Sequence, residues 1–567
     1  MNLSAWLPTS VTCLRGYSRR GFVHDLIAGV TVGLVALPLA MAFAISSGVP
    51  PQAGLYSAVI AGFLISALGG SRTQIGGPTG AFVVVVSSIV ARHGLDGLLT
   101  CTLMAGVMLI VLGATGMGTA VDFIPRPVIV GFTNGIAVLI ASTQLKDLLG
   151  LDIARVSGEF IPRLLQIARA LPTLSPPAAL LAGASLAVIL AGNRFTRRMP
   201  GAILALFAGT LVALVLRLPV ETIGTRFGGL PAGLPPFAPP HLRLELLQPL
   251  LAPALTVAML GAIESLMSAV VADRMTGDRH NPNVELIAQG IANIASPLFG
   301  GLPATGAIAR TATNIRSGAR TPVAGMIHAL TLLAILVFAA PYAKFVPLSI
   351  LAAILLVVAY HMGDWEEIPE LLRLSRADIS VWLVTFTLTV VADLTVAVEV
   401  GMILAALLFI RKVAATTTVS EVTDEDIEEG RVHVLQDKDI PDDVAVFRIH
   451  GPFLFGATDK LGRIIDRTPE LPNIVILRLR NMTAIDATGV HAIEALADRL
   501  HESGRTLILC GARAQPARLL AQAEVDEHLG RGNICANVQE ALDRARAVRE
   551  GTAPGMTSPS ATPPPPR

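Results

Sequence analysis

Two ionisable side chains lie well inside apolar stretches of this 567-residue chain, and their types and surroundings suit them to chemistry. Arg310 ends the run Gly300-Gly301-Leu302-Pro303-Ala304-Thr305-Gly306-Ala307-Ile308-Ala309-Arg310, and Glu264 sits in Gly261-Ala262-Ile263-Glu264-Ser265-Leu266-Met267-Ser268. An arginine at the centre of a bilayer costs about 2.5–3.5 kcal/mol on insertion scales, so it is retained for a purpose. It can hold an anion, or pair with a carboxylate and merely fix helices. Glu264 reads as the only carboxylate well inside its apolar span. Burial raises the pKa of a carboxylic acid, which suits uptake and release of a proton near neutral pH. Ser268 follows four residues later on the same helix face, so Glu264 and Ser268 could instead hold Na⁺ between oxygen ligands. An ion pair between Glu264 and Arg310 is compatible with either.

The element that carries Arg310 must be short. Helix breakers Gly300, Gly301 and Pro303 precede about three turns of helix-compatible sequence from Thr305 to Ser317, whereas a bilayer needs roughly 20 residues. This predicts a half-helix whose amino end opens inside the membrane, where non-helical backbone is tolerated only against protein or a water-filled cavity. The unpaired N–H groups of that first turn, at Thr305, Gly306 and Ala307, together with the positive end of the dipole, favour an anion there. The same device occurs earlier, where Gly69-Gly70-Ser71-Arg72 and Gly76-Gly77-Pro78 lead into Thr79-Gly80-Ala81-Phe82. The two Thr-Gly-Ala triplets are 226 residues apart, and Thr31-Val32-Gly33-Leu34-Val35 aligns with Thr256-Val257-Ala258-Met259-Leu260 at an offset of 225. Two matches at nearly one offset predict a duplicated unit, and interrupted segments at matching places point to a midplane binding site. Thr79 and Thr305 would face each other across it, with hydroxyls that serve either as anion ligands or as ordinary helix caps.

Composition places the chain among polytopic membrane proteins: 52% of residues are hydrophobic, 15% are charged, and mean hydropathy is +0.63. Apolar runs lie near 24 to 47, 51 to 69, 78 to 91, 97 to 118, 123 to 145, 177 to 192, 199 to 217, 250 to 272, 284 to 299, 305 to 317, 321 to 341, 345 to 362, 378 to 393 and 396 to 411. These are fourteen segments in two sets of seven, and an odd number in each half makes the halves inverted with respect to each other. Positive charges in the short connections, from Arg19 and Arg72 to Arg373 and Lys412, gather on one side, which puts both termini in the cytoplasm. The first run is too long for a signal-peptide core and reads as a membrane span. His328 and His361 read as solvated or structural groups near span ends. The net charge of +1 carries no message about partners, and Cys13, Cys101, Cys510 and Cys535 show no metal or disulfide spacing, so they read as free thiols.

After Lys412 the character changes. Residues 413 to 430 are polar and acidic and read as a linker. Val444 to Ile449, Asn473 to Leu479 and Thr506 to Cys510 then read as short strands, with Gly489 to Ser503 an amphipathic helix between them, so 431 to 550 forms a small α/β domain. Residues 551 to 567 are a disordered tail by composition. The divisions are thus a cytoplasmic segment 1 to 22, a membrane domain 23 to 412, the linker, the α/β domain and the tail.

These motifs together resemble bacterial members of the SulP (sulfate permease) family. The matching residues are Ala36-Leu37-Pro38-Leu39-Ala40-Met41-Ala42-Phe43-Ala44, Gly48-Val49-Pro50-Pro51-Gln52-Ala53-Gly54-Leu55-Tyr56-Ser57, Gly69-Gly70-Ser71-Arg72, and Gly77-Pro78-Thr79-Gly80. The half-helix with Arg310 completes the set, and Asp486-Ala487-Thr488-Gly489 resembles the signature turn of STAS domains. The resemblance implies a seven-plus-seven inverted repeat in which a core carrying both half-helices moves against a gate, a small monovalent or divalent anion as cargo, and a homodimer. It places Arg310 beside the anion and Phe43 as an aromatic lining the site, though an apolar residue in a span is equally packing. Members with aspartate at the Glu264 position and a nearby hydroxyl resemble sodium-coupled carriers, so glutamate here favours protons. Leu39 stands where many members have glutamine, which removes a polar ligand, and Ala487 replaces the phosphorylatable serine of bacterial regulators. Thr488 is then the only nearby hydroxyl, which favours docking of a cytoplasmic protein or a dimer role for the STAS domain.

The reading is a secondary active transporter of sulfate or bicarbonate in the bacterial cytoplasmic (inner) membrane, coupled to H⁺ through Glu264 or to Na⁺. A dicarboxylate carrier and an anion-sensing scaffold that signals through STAS are the alternatives. The sequence contains no nucleophile–base constellation, phosphate-binding glycine loop or metal-ligand spacing, so it predicts no enzyme, no cofactor and no nucleic-acid partner.

Overall fold

The computed structural model describes residues 6 to 551 except 15–16, 119–124, 154–155, 158, 196–200, 241–243, 374, 393, 423–439, 467 and 531. The expected tail lies outside the described residues. The chain divides into two compact units, Met1–Ala405 and Ala406–Arg567.

Helices occupy every one of the fourteen apolar runs. In the first half they are α1 (Arg19–Ser46), α2 (Pro51–Leu68), α3 (Phe82–Ala114), α4 (Arg126–Leu149), α5 (Pro176–Phe195) and α6 (Gly201–Val215). In the second half they are α7 (Leu247–Thr276), α8 (Pro282–Leu298), α9 (Ile308–Arg316), α10 (Val323–Phe338), α11 (Leu348–Met362), α12 (Arg376–Val391) and α13 (Leu394–Thr416). Two sequence runs share α3, which is broken at Gly94, where φ of 70° and ψ of −171° leave the helical region. A positive φ is strained for any residue with a Cβ, so glycine supplies the break. Capping follows the sequence: Ser18 accepts from Gly21 N at the start of α1, Asn281 from Asn283 N and Val284 N at the start of α8, and left-handed Gly150 and Gly277 close α4 and α7. Among the described residues, six helices are long and apolar enough to cross a membrane, or seven when the bent pair Phe160–Thr173 and Pro176–Gly192 counts as one.

Helix packing repeats when the halves are exchanged. α1 packs on α10 as α7 packs on α3, α2 on α10 as α8 on α3, and α12 on α4 as α5 on α11, while α2 with α8 and α4 with α11 map onto themselves. That is the contact pattern of two copies related by a two-fold axis. It sorts α1, α2, α3, α7, α8, α9 and α10 into one group and α4, α5, α11 and α12 into another.

The second unit is an α/β domain. Strands β3 (Thr418–Glu421), β4 (Val444–Phe453), β5 (Ile474–Ile485), β6 (Thr506–Cys510) and β7 (Ile534–Cys535) form one sheet in that order, antiparallel at β3–β4 and parallel elsewhere. Strand alternation sends Phe447, Leu477 and Leu509 to one core with Ile493 and Leu496, and Val446, Ile476 and Ile508 to the other with Leu542. The expected linker is corrected here, since Thr418–Glu421 is an edge strand of this sheet. Cys510 lies directly opposite Cys535 across β6 and β7, both unbridged, and burial pushes the Cys510 thiol up to about 12.

Candidate functional site

The two breaker segments meet and pair. β1 (Gly76–Gly77) and β2 (Thr305–Gly306), each two residues long, run antiparallel with Gly77 opposite Thr305 and Gly76 opposite Gly306. The pairing joins the entrances of the two half-helices, the first part of α3 and the whole of α9. Paired Cα atoms are about 5 Å apart, so Thr79, two residues beyond Gly77, lies near Thr305. Polar side chains hold the segments from behind. Asn293 clasps Ala304, giving its amide to the carbonyl and accepting from the N–H, both at 2.8 Å. Ser57 and Ser296 both donate to Leu302 O, at 2.9 and 2.7 Å, and Asn314 donates to Thr73 O at 2.8 Å. Each satisfies backbone that sheet or helix would otherwise pair.

Helix α7 grips both entrances with consecutive residues. Thr79 Oγ1 donates to Glu264 Oε2 at 2.7 Å, and Thr305 Oγ1 lies 2.7 Å from Ser265 Oγ while donating to Gly261 O at 2.9 Å. A hydroxyl has one proton. With that of Thr305 on Gly261 O, Ser265 must be the donor in their contact, and Thr305 retains no proton for an anion. Ser265 Oγ also accepts from Gly306 N at 3.1 Å. Ser268 does not meet Glu264: its hydroxyl donates to Thr311 Oγ1 at 3.1 Å, and Thr311 in turn accepts from Ile75 N at 3.0 Å. Glu264 and Ser268 thus have different hydrogen-bond partners, Thr79 and Thr311.

Arg310 is buried one turn into α9, only 3% exposed. Its Nη2 donates to Pro78 O, beside the first half-helix, and its Nη1 is buried without a partner among the described residues. Gly77 has φ of +146°, which favours glycine, and a Cβ there would stand 2.8 Å from that Nη1 and push the guanidinium aside. Arg310 and Glu264 make no ion pair within 4 Å among the described salt bridges, although each lies within Coulombic reach of the other. The guanidinium thus brings an unmatched donor to the place where both half-helices open.

Phe43 of α1, Ile140 of α4 and Met362 of α11 close over Gly80: a Cβ there would meet Met362 Sδ at 2.7 Å, Ile140 Cδ1 at 3.0 Å and Phe43 Cε1 at 3.2 Å. Phe43 and Gly80 belong to one helix group and the other two to its counterpart, so the first half-helix entrance lies at the seam between groups. A turn further along, a cavity of about 810 Å³ opens between Ser46, Ser87, Thr143 and Lys146, rimmed by Arg226 in its bonds to Asp147 and Glu221. Ala307 N is already engaged with Ile75 O at 2.8 Å, so that amide is not open to a ligand.

Several polar residues escaped the sequence reading. Glu264 is not the most enclosed carboxylate: Asp25 and Glu285 are both 0% exposed. Asp25 accepts from Arg320 N, Thr321 N, Thr321 Oγ1 and Tyr17 Oη, which ties α1 to the chain leaving α9. Glu285 accepts from Gly70 N and Ser71 N at 2.9 and 3.2 Å, which ties α8 to the chain leaving α2. Glu285 stands in the first turn of its helix and Asp25 in the second turn of its own, near the ends of their spans, where an acid reads as interfacial. His328, expected to be solvated or structural, is fully buried in α10, with neither ring nitrogen partnered among the described residues.

A family model described as Sulfate permease family matches residues 22–385, and one described as STAS domain matches 436–541. YvdB of Bacillus subtilis (strain 168), provisionally named a sulfate transporter, is 42% identical over 91% of this chain and 96% of its own. The bicarbonate transporter BicA of Synechocystis sp. (strain ATCC 27184 / PCC 6803 / Kazusa) is 32% identical over 93% of this chain and 94% of its own. The transmembrane domain of a cyanobacterial BicA matches the fold with a TM-score of 0.60 at 35% identity, covering 69% of this chain and 98% of that one. SLC26A9 matches with a TM-score of 0.85 at 19% identity, over 97% and 94% of the two chains, a likeness of fold.

Proposed function

Because the chain belongs to the sulfate permease family, we propose that it moves a small inorganic anion, sulfate or bicarbonate, across the membrane and binds it between the two half-helix entrances. The observation that carries this reading is Arg310, a buried guanidinium with one unpartnered nitrogen placed where β1 and β2 bring both entrances together. A full positive charge without a paired carboxylate is costly in a membrane, and an anion there relieves it. The designations of YvdB and BicA support sulfate and bicarbonate as the anions to test. Among the residues named from the sequence, Phe43 and Gly80 form the lid of the site, Thr79 links it to Glu264, and Thr305 and Gly306 anchor it to α7.

Coupling to H⁺ through Glu264 is favoured over coupling to Na⁺ through Glu264 and Ser268, because this chain carries glutamate where the family's sodium-coupled carriers carry aspartate. The protein works as a homodimer of the bacterial inner membrane with fourteen spans and both termini in the cytoplasm, an orientation supported by the arginine bias of its short connections. Its STAS domain serves docking. The deciding experiment is uptake of radiolabelled sulfate, bicarbonate and succinate by purified protein in liposomes under imposed pH and Na⁺ gradients. Accumulation driven by an inward proton gradient and lost in Glu264→Gln supports the reading. Accumulation that requires Na⁺ at every pH replaces it with the sodium reading, and uptake of none of the three anions rejects transport of this class.

A further inference from the structure

The two threonines at the half-helix entrances differ in one respect: the proton of Thr305 is fixed on a backbone carbonyl, Gly261 O, whereas that of Thr79 is directed at a group that can itself gain a proton, Glu264. From this geometry we propose that Thr79 is the link through which proton uptake by Glu264 controls the anion, by reversing the direction of a single hydrogen bond. The inference rests on Glu264 being the coupling acid.

An ionised carboxylate accepts only. While Glu264 is charged, Thr79 must give it its one proton and turns oxygen lone pairs toward the entrance of the first half-helix, which repels an anion. A protonated Glu264 has an O–H of its own, and at the same 2.7 Å separation it donates to Thr79 Oγ1. Thr79 is then free to point its proton at the anion beside Gly80. No proton leaves Thr79, and the only transfer is the one to Glu264. Protonation thus removes a negative charge and adds a donor in one event, and by linkage the bound anion draws the proton onto Glu264 equally strongly.

The surroundings leave this pair to act on each other. Of the charged and titratable groups on elements packed against α7, Arg92, His93 and Asp96 stand around the break in α3, the buried thiol Cys101 follows them on that helix, Glu245 precedes α7, Glu285 of α8 is bonded to Gly70 and Ser71, and Arg316 lies at the far end of α9. Among the described residues, Arg310 is the charged group within Coulombic reach of Glu264. It supplies the standing charge for the anion and Thr79 supplies the conditional donor.

The test compares wild type, Thr79→Val, Thr79→Ser and Glu264→Gln in liposomes, each measured for anion exchange at equal pH and for accumulation driven by an inward proton gradient. Thr79→Val should retain exchange, with apparent anion affinity about ten- to a hundredfold weaker for the loss of a hydrogen bond to a charged partner. Its affinity should no longer improve as pH falls, and gradient-driven accumulation should be lost. Thr79→Ser, which keeps the hydroxyl, should restore both. If Thr79→Val accumulates anion and responds to pH as wild type does while Glu264→Gln does not, the acid acts without Thr79 and the proposal is wrong. If Glu264→Gln too responds as wild type, the premise about Glu264 fails, a result separable from the first. If Thr79→Val loses exchange and its thermal stability falls together with that of Thr79→Ser, Thr79 is a structural cap only, which also overturns the proposal.

Discussion

Replacing Arg310 by alanine removes a full positive charge at the meeting of the half-helices, and the structure allows its cost to be divided. The Nη2 donation to Pro78 O disappears, leaving a buried carbonyl unsatisfied at about 1–3 kcal/mol. That part is a loss of stability and should appear as a lower unfolding temperature in detergent. The Nη1 group has no partner among the described residues, so its removal costs the fold none of the described hydrogen bonds and should cost the anion a charge-assisted contact of about 1.5–3 kcal/mol, or roughly ten- to a hundredfold in apparent affinity. What remains are two partial dipole charges of about half an elementary charge each. Arg310→Lys keeps the charge but cannot reach Pro78 O and the anion with two separate nitrogens in a fixed fork, so it should fall between wild type and alanine in affinity. The assay is initial uptake against anion concentration in liposomes, paired with thermal unfolding of the same preparations. Arg310→Ala with unchanged anion affinity and lower stability would refute the reasoning, because it would leave the guanidinium as a strut for Pro78 alone.

Three further outcomes are expected. Gly80→Ala should fold, since the atoms its Cβ meets are the flexible ends of Met362, Ile140 and Phe43, yet overpacking of about 1–3 kcal/mol in a closed state that transport passes through should slow uptake about fivefold to a hundredfold; adding Met362→Ala should recover most of the rate, and no recovery would place the clash elsewhere. Asn293→Ala leaves both polar groups of buried Ala304 unpaired, an expected loss of about 2–5 kcal/mol visible as a lower unfolding temperature, and an unchanged temperature would show the loop is held without it. In the STAS domain His528 bonds to Asp498 at 2.8 Å, and that bond raises its pKa above the ordinary histidine value. A raised folded-state pKa gives stability that is present below about pH 6.5 and fades as pH rises through the folded value, so amide protection in the domain, taken relative to intrinsic exchange at each pH, should fall over that range, and His528→Gln should remove that fall.

The parts of the site that were legible in the sequence are those written in local chemistry. Gly300, Gly301 and Pro303 stop a helix wherever they occur, and an arginine between apolar runs announces its cost, so the half-helix and Arg310 could be located by inspection. The antiparallel register of Gly76–Gly77 with Thr305–Gly306 could not, because it joins residues some 230 positions apart through tertiary packing, and neither dipeptide reads as a strand. The partner of Ser268 is hidden for a related reason: helical spacing puts Ser268 on the face of Glu264, but its hydrogen bond goes to Thr311 of α9, which only tertiary packing brings there. Asp25 and Glu285 lie near the ends of their helices, where an acid reads as interfacial, and only the folded chain shows backbone N–H groups converging on them. Thr418–Glu421 was read as linker because an edge strand of four residues has too little apolar alternation to stand out from polar sequence.

The strand pair of β1 and β2 also has an electrical consequence. By joining the two half-helix entrances it makes Arg310, both half-helices, whose dipoles carry no net charge as wholes, and any anion between them one mechanical body, so a displacement of that body carries the counter-charge along with the cargo. With bicarbonate held against Arg310 the moving parcel is nearly neutral, and its passage should respond weakly to membrane potential. With sulfate it carries about one uncompensated negative charge, and a passage across the whole field would change by about 2.3 kcal/mol per 100 mV. Voltage dependence of transport therefore counts the charge of the anion against that of the protein that travels with it.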